Sequence, residues 1–454
     1  MFITPLSFPA LNTGDAMSEA KKGMFWFVQG NVKILMLCRV LWSASTSIIY
    51  PFFSLYILAL GGTSTEIGLI NSLGILAGMV LYPVGGYIAD RAGRVKLIGY
   101  STVLYAFAHL FFVVANDWKI IAIGQFFSQL LLFYMPAMNA LEADSLPPGV
   151  RGKGFAMMMV VPGAVRIVAP VFGGYIIEWF QNTSGQSSDQ ALVLAVRICW
   201  SIAFATGLLV AWLRLRYLKE TMTEEETTEK FSFAQIPKMI MPAYRSILDS
   251  IKWMDRGLKV IVVIEMFASF FVAMSAPFYV VYAKQVIGLV ESQWGLIMFM
   301  SGLLGIIIAF PLGATVDKIG PRKMILLGMT LAPIVIWSYQ YAGGFVGVLL
   351  ILCGVTICNN IMMPAFSTII ANIIPRNRRG RLYSLIGERG IMISFGNFWG
   401  GGFLLFPPAA LGSYVGGWVY KLNPNYPWMI TSGALVICLV LIFLFVRNPA
   451  EAEQ

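Results

Sequence analysis

Apolar runs of about twenty residues recur along nearly the whole chain, and each is bounded by charge or by turn residues. Twelve such runs are predicted, at Ile34–Leu60, Ile67–Ala89, Val95–Ala115, Trp118–Leu141, Gly154–Phe180 and Ala191–Tyr217, then Leu258–Ala283, Trp294–Val316, Met324–Ala342, Phe345–Ile373, Leu382–Phe406 and Trp428–Val446. They are continuous rather than alternating, so each reads as a membrane-spanning helix and not as a strand of a barrel. The pattern changes once, in the middle. There Ile236, Ile240, Tyr244, Ile247, Leu248 and Ile251 recur at helical spacing among Lys238, Arg245 and Lys252. That spacing predicts an amphipathic helix lying on the inner membrane surface.

The two halves repeat. Gly85-Gly86-Tyr87-Ile88-Ala89-Asp90-Arg91-Ala92-Gly93-Arg94-Val95-Lys96 returns as Gly313-Ala314-Thr315-Val316-Asp317-Lys318-Ile319-Gly320-Pro321-Arg322-Lys323, an offset of 227 residues (317 − 90). Pro51 and Pro277 lie 226 apart, Pro136 and Pro364 228 apart, and Arg151-Gly152 and Arg379-Gly380 again 228 apart. A nearly constant offset implies two six-helix bundles of one orientation, the build of secondary transporters with a midplane site. The expected fold is therefore all-α and integral to the membrane, with twelve transmembrane helices in two pseudo-symmetric bundles. The expected divisions are a tail at 1–30, bundles at 31–218 and 258–447, a linker at 219–257 and a second tail at 448–454. One stretch breaks the symmetry. Gly173-Gly174 matches Gly416-Gly417 at an offset of 243, so about fifteen residues are inserted around the eleventh span. Pro407-Pro408 predicts that the helix ends there and that an extra external segment follows.

Composition sharpens this picture. The chain is 58% hydrophobic and only 12% charged, with a mean hydropathy of +0.76. That is too little charge to cover a water-exposed surface. The net charge of +10 is not a nucleic-acid footprint, because Arg91, Arg94, Lys96, Arg151, Lys153, Arg214, Arg216, Lys219, Lys318, Arg322, Lys323, Arg376, Arg378, Arg379 and Arg381 fall in alternate loops. The opposite loops carry Lys119, Arg197, Lys284 and Lys421. The asymmetry places both termini in the cytoplasm and the protein in the plasma membrane. No basic segment followed by an apolar core opens the chain, so no cleavable signal is expected. Lys21, Lys22 and Phe25-Trp26-Phe27 read as a membrane-surface anchor, and Met17 is an alternative start. Five cysteines lie inside apolar runs without metal-ligand spacing. No P-loop, nucleophile–base pair, haem or metal motif is present, so neither enzyme activity nor a cofactor or metal is expected.

The loop after the second span resembles the signature loop of the major facilitator superfamily, with Gly86, Asp90, Arg91, Gly93 and Arg94 matching position by position and Asp317 and Arg322 in the weaker second copy. The resemblance covers roughly residues 31–447. It implies that these residues form a latch holding the cytoplasmic ends of the bundles together when the cavity opens outward. Gly163 and Ala169-Pro170-Val171-Phe172-Gly173-Gly174 in the fifth span resemble in part the motif of that family's drug–proton antiporters, where Pro170, Gly173 and Gly174 bend or pack the helix. Gln125 stands where those antiporters usually carry an arginine.

Charges inside the spans are costly and need a reason. Arg39 and Glu265 are pseudo-symmetric partners of opposite sign (265 − 39 = 226). Either they pair across the cavity as a coupling or gating element, or both reach toward lipid headgroups. Arg166 is expected to bind an anionic substrate or to pair with Glu388, beside Arg389. Glu142 and Asp144 read as a loop salt-bridge network near Arg151, and His109 as a packed histidine. Tyr50, Gln125, Gln129, Tyr134, Tyr279, Asn359 and Asn360 fall on spans that line the cavity in the resembled family, as substrate contacts or interhelical hydrogen bonds. The resulting expectation is a secondary transporter working by alternating access as a monomer among membrane lipids. It exports a small amphipathic or organic-anion compound in exchange for protons. The alternatives are an uptake symporter or uniporter for a metabolite, and a transporter-like sensor or lipid scrambler.

Overall fold

In the computed structural model the described residues are 25–89, 93–222, 236–254, 256–374, 379–387, 389–395 and 402–446. Among them every regular element is helical, and eleven helices are long and apolar enough to cross a membrane. These eleven are the expected spans one to ten and span twelve, most of them longer by a few residues at the ends. The fifth, for example, runs Arg151–Thr183 and the sixth Ser188–Tyr217. Polar caps extend them: the Ser187 side chain accepts from Gln190 N at 3.4 Å. Hydropathy alone does not register such polar first turns.

The repeat reappears as geometry. The first and seventh crossings, Gly30–Ala59 and Arg256–Gln285, each break into a 3-10 turn at the matched prolines, Tyr50–Phe52 and Ala276–Phe278. Proline lacks the N–H that an unbroken helix needs there. The fifth crossing nevertheless continues through Pro162 and Pro170.

The eleventh crossing corrects the expectation. No continuous helix spans 382–406. A short helix, Arg379–Ile386, is followed by irregular chain at 387 and 389–395, a 3-10 turn at Phe403–Leu405 and the helix Phe406–Leu422. Pro407 does not end a helix; it stands in the first turn of one. Its missing N–H costs nothing at that position, and its fixed φ suits a helix start. The extra segment therefore precedes the long helix and does not follow it.

Glycines set how closely the crossings meet. A Cβ at Gly173 would collide with the Ile48 carbonyl of the first crossing, and a Cβ at Gly416 with the Met274 carbonyl of the seventh. The pair is copied between bundles. A second pair joins the bundles to one another. Gly174 meets Glu291 and Ser292 of the eighth crossing, and Gly417 meets Ser64 and Thr65 of the second. Gly295 and Gly68 answer from the other side, against Pro170 and Ser413. Ser54 Oγ adds a hydrogen bond to the Pro277 carbonyl at 2.8 Å, and Gln181 Nε2 donates to Glu291 Oε1 at 3.3 Å. All these contacts lie toward the end opposite the basic loops.

At the basic end the linker helix, Ile236–Trp253, touches both bundles. Met239 and Ala243 are buried with Ile236 and Ile240 in the core of the first bundle. Ile247 and Ile251 pack on the core of the second, with Leu258 and Leu382. Tyr244 stands between. Its hydroxyl donates to the Val80 carbonyl at 3.2 Å and approaches the Met79 carbonyl at 3.5 Å, the two carbonyls disturbed by Pro83 in the second crossing. Lys238, Arg245 and Lys252 remain exposed. The side chain of Leu248 lies outside the described residues.

One helix tests the packing argument with one substitution at two sites. Gly173→Ala is expected to cost about 1–3 kcal/mol, because the neighbouring backbone must move. A Cβ at Gly163 meets nothing within 4 Å. Gly163→Ala is therefore expected to be neutral or to stabilise by up to about 1 kcal/mol through helix propensity. Thermal unfolding in detergent should show the midpoints moving in opposite directions, or only that of Gly173→Ala falling.

Candidate functional site

Arg39 of the first crossing does not meet Glu265. It forms a bidentate pair with Glu142, Nε to Oε1 and Nη2 to Oε2, each at 2.7 Å. Glu142 is no loop residue: it lies in the helix Met135–Ser145 with its side chain only 4% exposed. A planar guanidinium matches a carboxylate with two parallel bonds, which offsets much of the cost of burying both charges. Arg214 completes the cluster. Assigned by the sequence to a basic loop, it is instead 3% exposed and donates to Thr102 Oγ1 at 2.6 Å and to the Tyr134 hydroxyl at 3.4 Å. Its charge also reaches Glu142. Tyr134 thus serves an interhelical network within the first bundle.

Glu265 is the opposite case. It is 2% exposed on the seventh crossing, and neither carboxylate oxygen has a hydrogen-bond partner among the described residues. Its helix neighbours Ile261, Ile264 and Ala268 are buried apolar residues.

The other polar candidates divide. Gln125 is buried against Gly74 of the second crossing, with Gln129 beside it. Asn360 donates to the Thr356 carbonyl at 2.9 Å within its own helix and faces Gly305. Tyr50 rests edge-on to Trp200, and Tyr279 packs on Tyr339 and Trp428. His109 sits in a box of Trp42, Tyr105, Phe112 and Trp200, as a packed histidine does. Asn359 behaves differently. Its Nδ2 donates to the Ile393 carbonyl at 2.7 Å and its Oδ1 accepts from Ile393 N at 2.9 Å. That two-point clamp pins the irregular part of the eleventh crossing to the tenth. Arg166 of the fifth crossing lies within electrostatic range of Arg389 in this part and of Arg39. Glu388 lies outside the described residues.

At the basic end Arg94 pairs with Asp144, and its Nη1 donates to Thr221 Oγ1 at 3.2 Å. Val95 N donates to Glu220 Oε2 at 3.0 Å, and Glu220 also approaches Gly93. Arg151 instead donates to the Leu146 carbonyl at 3.3 Å. In the second copy Arg322 donates to the Phe443 carbonyl at 2.8 Å. Asp90, Arg91 and the side chain of Asp317 lie outside the described residues, and Gly86 approaches Pro136.

A family model described as Major Facilitator Superfamily matches residues 35–401. The chain belongs to this superfamily. Multidrug resistance protein 2 of Bacillus subtilis (strain 168) is 22% identical over 396 residues, covering 86% of this chain and 88% of that protein. Quinolone resistance protein NorA of Staphylococcus aureus (strain Mu50 / ATCC 700699) is 25% identical over 132 residues, which cover 29% of this chain and 34% of NorA. Among solved structures, a bacterial homolog of the human lysosomal transporter Spinster, inward-facing and unoccupied, superimposes with a TM-score of 0.63 at 15% identity, over 92% of this chain and 98% of that one. The chain is thus a multi-pass membrane transporter and not an enzyme. Within this superfamily fold, the described contacts of the signature loop, at Gly93, Arg94 and Val95, go to Asp144 of the first bundle and to Glu220 and Thr221 just beyond its sixth crossing.

Sequence reasoning missed Arg214 and Glu291. Glu291 holds Lys284 at 3.0 Å and the bundle seam at once, yet in the sequence it is only an acid at a helix start. Removing one member of a buried pair costs about 3–5 kcal/mol. Glu142→Gln should therefore lower the unfolding midpoint in detergent strongly. The swap Arg39→Glu with Glu142→Arg should recover part of the loss, and Arg39→Glu with Glu265→Arg none of it. A double-mutant cycle on both pairs is the check.

Proposed function

We propose that this chain is a secondary active exporter of small amphipathic compounds that exchanges them for protons by alternating access. The observation that carries the reading is Glu265, a carboxyl buried in a membrane crossing with no described partner for either oxygen. An isolated ionised carboxylate in such a place is very costly and neutralises instead by holding a proton. A group that must take a proton in one state and release it in another is what coupling requires.

The rest follows the same logic. The seam sealed by Gly174, Gly295, Gly417 and Gly68 is the external gate, and the basic end faces the cytoplasm with both termini. Cargo enters from the cytoplasm and from the inner leaflet of the plasma membrane while Glu265 gives up its proton. The bundles then rock, the glycine seam parts, and the signature loop leaves Asp144, Glu220 and Thr221 to latch the cytoplasmic side. Each charge moved with a 100 mV potential contributes about 2.3 kcal/mol. The names of the relatives, multidrug and quinolone resistance proteins, support export of such compounds. One chain holds both bundles and suffices as a monomer.

In proteoliposomes acidic inside, the protein should accumulate rhodamine 6G above the level in protein-free vesicles, and less without the gradient. Glu265→Gln should make the flux equal with and without the gradient. Full gradient dependence in that variant would remove Glu265 from the mechanism.

A further inference from the structure

The two seams between the bundles are related by the repeat, yet they differ toward the basic end. At the opposite end each is joined by glycines, Gly174 and Gly295 in one and Gly68 and Gly417 in the other. Nearer the basic end the seam between the fifth and eighth crossings comes apart. Val160 and Ile306 are 61% and 49% exposed, and a Cβ at Gly163 or Gly313 would meet nothing within 4 Å. The matching positions in the seam between the second and eleventh crossings are filled. Phe403 takes the place of Val160 (403 − 243), Phe406 that of Gly163 (406 − 243) and Met79 that of Ile306 (306 − 227). Phe403 is buried, and Phe406 meets the Tyr82 ring at 6.3 Å between centroids. Met79, a residue of the first bundle, packs on the core of the second.

The linker helix Ile236–Trp253 joins this filled seam. Its first half is buried in the first bundle through Met239 and Ala243, and its second half packs on the second bundle through Ile247 and Ile251. Tyr244 holds both at once. Its hydroxyl donates to the Val80 carbonyl of the second crossing at 3.2 Å, and its ring stands edge-on to Phe403 at 5.7 Å between centroids. Packed interfaces do not stretch, so a bundle that turns against the other must strip one half of the helix from its place. The helix carries a weak joint near the meeting of the halves. Pro242 has no N–H for the Lys238 carbonyl, so the helical ladder lacks a bond there.

We propose that the linker helix is a strap that holds the bundles in the arrangement in which the glycine contacts are made, with Tyr244 as its fastening and Pro242 as the joint at which it yields. Opening toward the cytoplasm is then one-sided: the seam between the fifth and eighth crossings parts, and the strapped seam between the second and eleventh serves as the hinge. The strap sets how often the opposite arrangement is visited. A strap contact removed raises that population, and one added lowers it. The inference adds a control to the alternating access proposed above and involves no contact with cargo.

The test reads the parting of the glycine end directly. Ser292 of the eighth crossing is buried where Gly174 meets it, so a thiol there becomes reactive only when that contact opens. Full-length Ser292→Cys protein in lipid nanodiscs, with both faces open to solvent, is labelled with a maleimide dye, and the chain without that substitution gives the rate of the native cysteines. Tyr244→Phe, which loses only the hydroxyl, should raise the labelling rate by roughly fivefold, the worth of one hydrogen bond. Tyr244→Ala, which also loses the ring, should raise it further. Pro242→Ala supplies the missing backbone bond and should lower the rate. Lys238→Ala, on the exposed face of the same helix, should leave it unchanged. Unfolding midpoints identify any variant that fails to fold. An unchanged rate in folded Tyr244→Ala overturns the strap, and so does an equal rise in Lys238→Ala. Labelling needs no cargo, so the expected shifts in a protein that moves no rhodamine 6G would sustain the strap and count against the exporter alone.

Discussion

A backbone carbonyl or amide left free inside a membrane has no water to bond, and that constraint shapes this molecule more than any single contact. Prolines and helix ends leave carbonyls free along the crossings, and side chains from neighbouring helices bond backbone carbonyls across the bundle. Tyr244 reaches the carbonyls one turn before Pro83 from the linker, and Ser432 of the twelfth crossing donates to the Pro333 carbonyl of the ninth at 2.7 Å. Tyr56 donates to the Phe112 carbonyl at 2.6 Å, and its copy Tyr282 to the Gln340 carbonyl at 3.3 Å. Each repair also joins two helices, so satisfying the backbone and building the bundle are the same act. The linker helix is held in part on this account, since its one tyrosine is anchored one turn before Pro83 in the second crossing.

The same constraint explains where the sequence could be read and where it could not. Continuous apolar runs admit one solution in lipid, so eleven crossings and the duplication are legible from hydropathy and offset alone. The jump from 228 to 243 revealed an insertion of the right size. Its course was not legible, because Pro407-Pro408 suits both the residue after a helix and the first turn of one. Only the position of the helix relative to the prolines separates these, and Phe406–Leu422 lies on their C-terminal side. Asn359 could be singled out as a polar residue in a crossing. That it serves a backbone segment thirty-four residues away depends on a loop the pattern does not describe.

Charges show the complementary limit. Their presence in the crossings was legible, their partners were not. Glu142 follows an apolar run broken at Pro136, so it reads as the start of a loop, and Arg214 lies close enough to Arg216 and Lys219 to read the same way. A paired buried charge and a solvated one depress hydropathy equally. What distinguishes them is the helix that stands opposite, and this is tertiary information. Arg39 was matched to Glu265 through the repeat, yet its partner came from within its own bundle.

That mismatch has a cause in the repeat itself. Glu265 occupies in the second bundle the place of Arg39 in the first. The place of Glu142 is taken by Ile370 (142 + 228) and that of Arg214 by Ile442 (214 + 228), both buried. Duplication preserved the packing: the aromatic contact Phe112–Trp200 at 4.5 Å has its copy in Tyr339–Trp428 at 4.7 Å. It did not preserve the charges. In one bundle Arg39 and Glu142 satisfy each other, and Arg214 bonds Thr102 and Tyr134 within reach of the same carboxylate. The other keeps the Glu265 carboxyl and has buried isoleucine at the two positions that match Glu142 and Arg214. A symmetric frame with a carboxylate ion-paired in one bundle and a buried carboxyl without a described partner in the other is an asymmetric device. The lone acid follows from the apolar residues that replaced its partners, and so the chemistry of the second bundle is written as much in Ile370 and Ile442 as in Glu265.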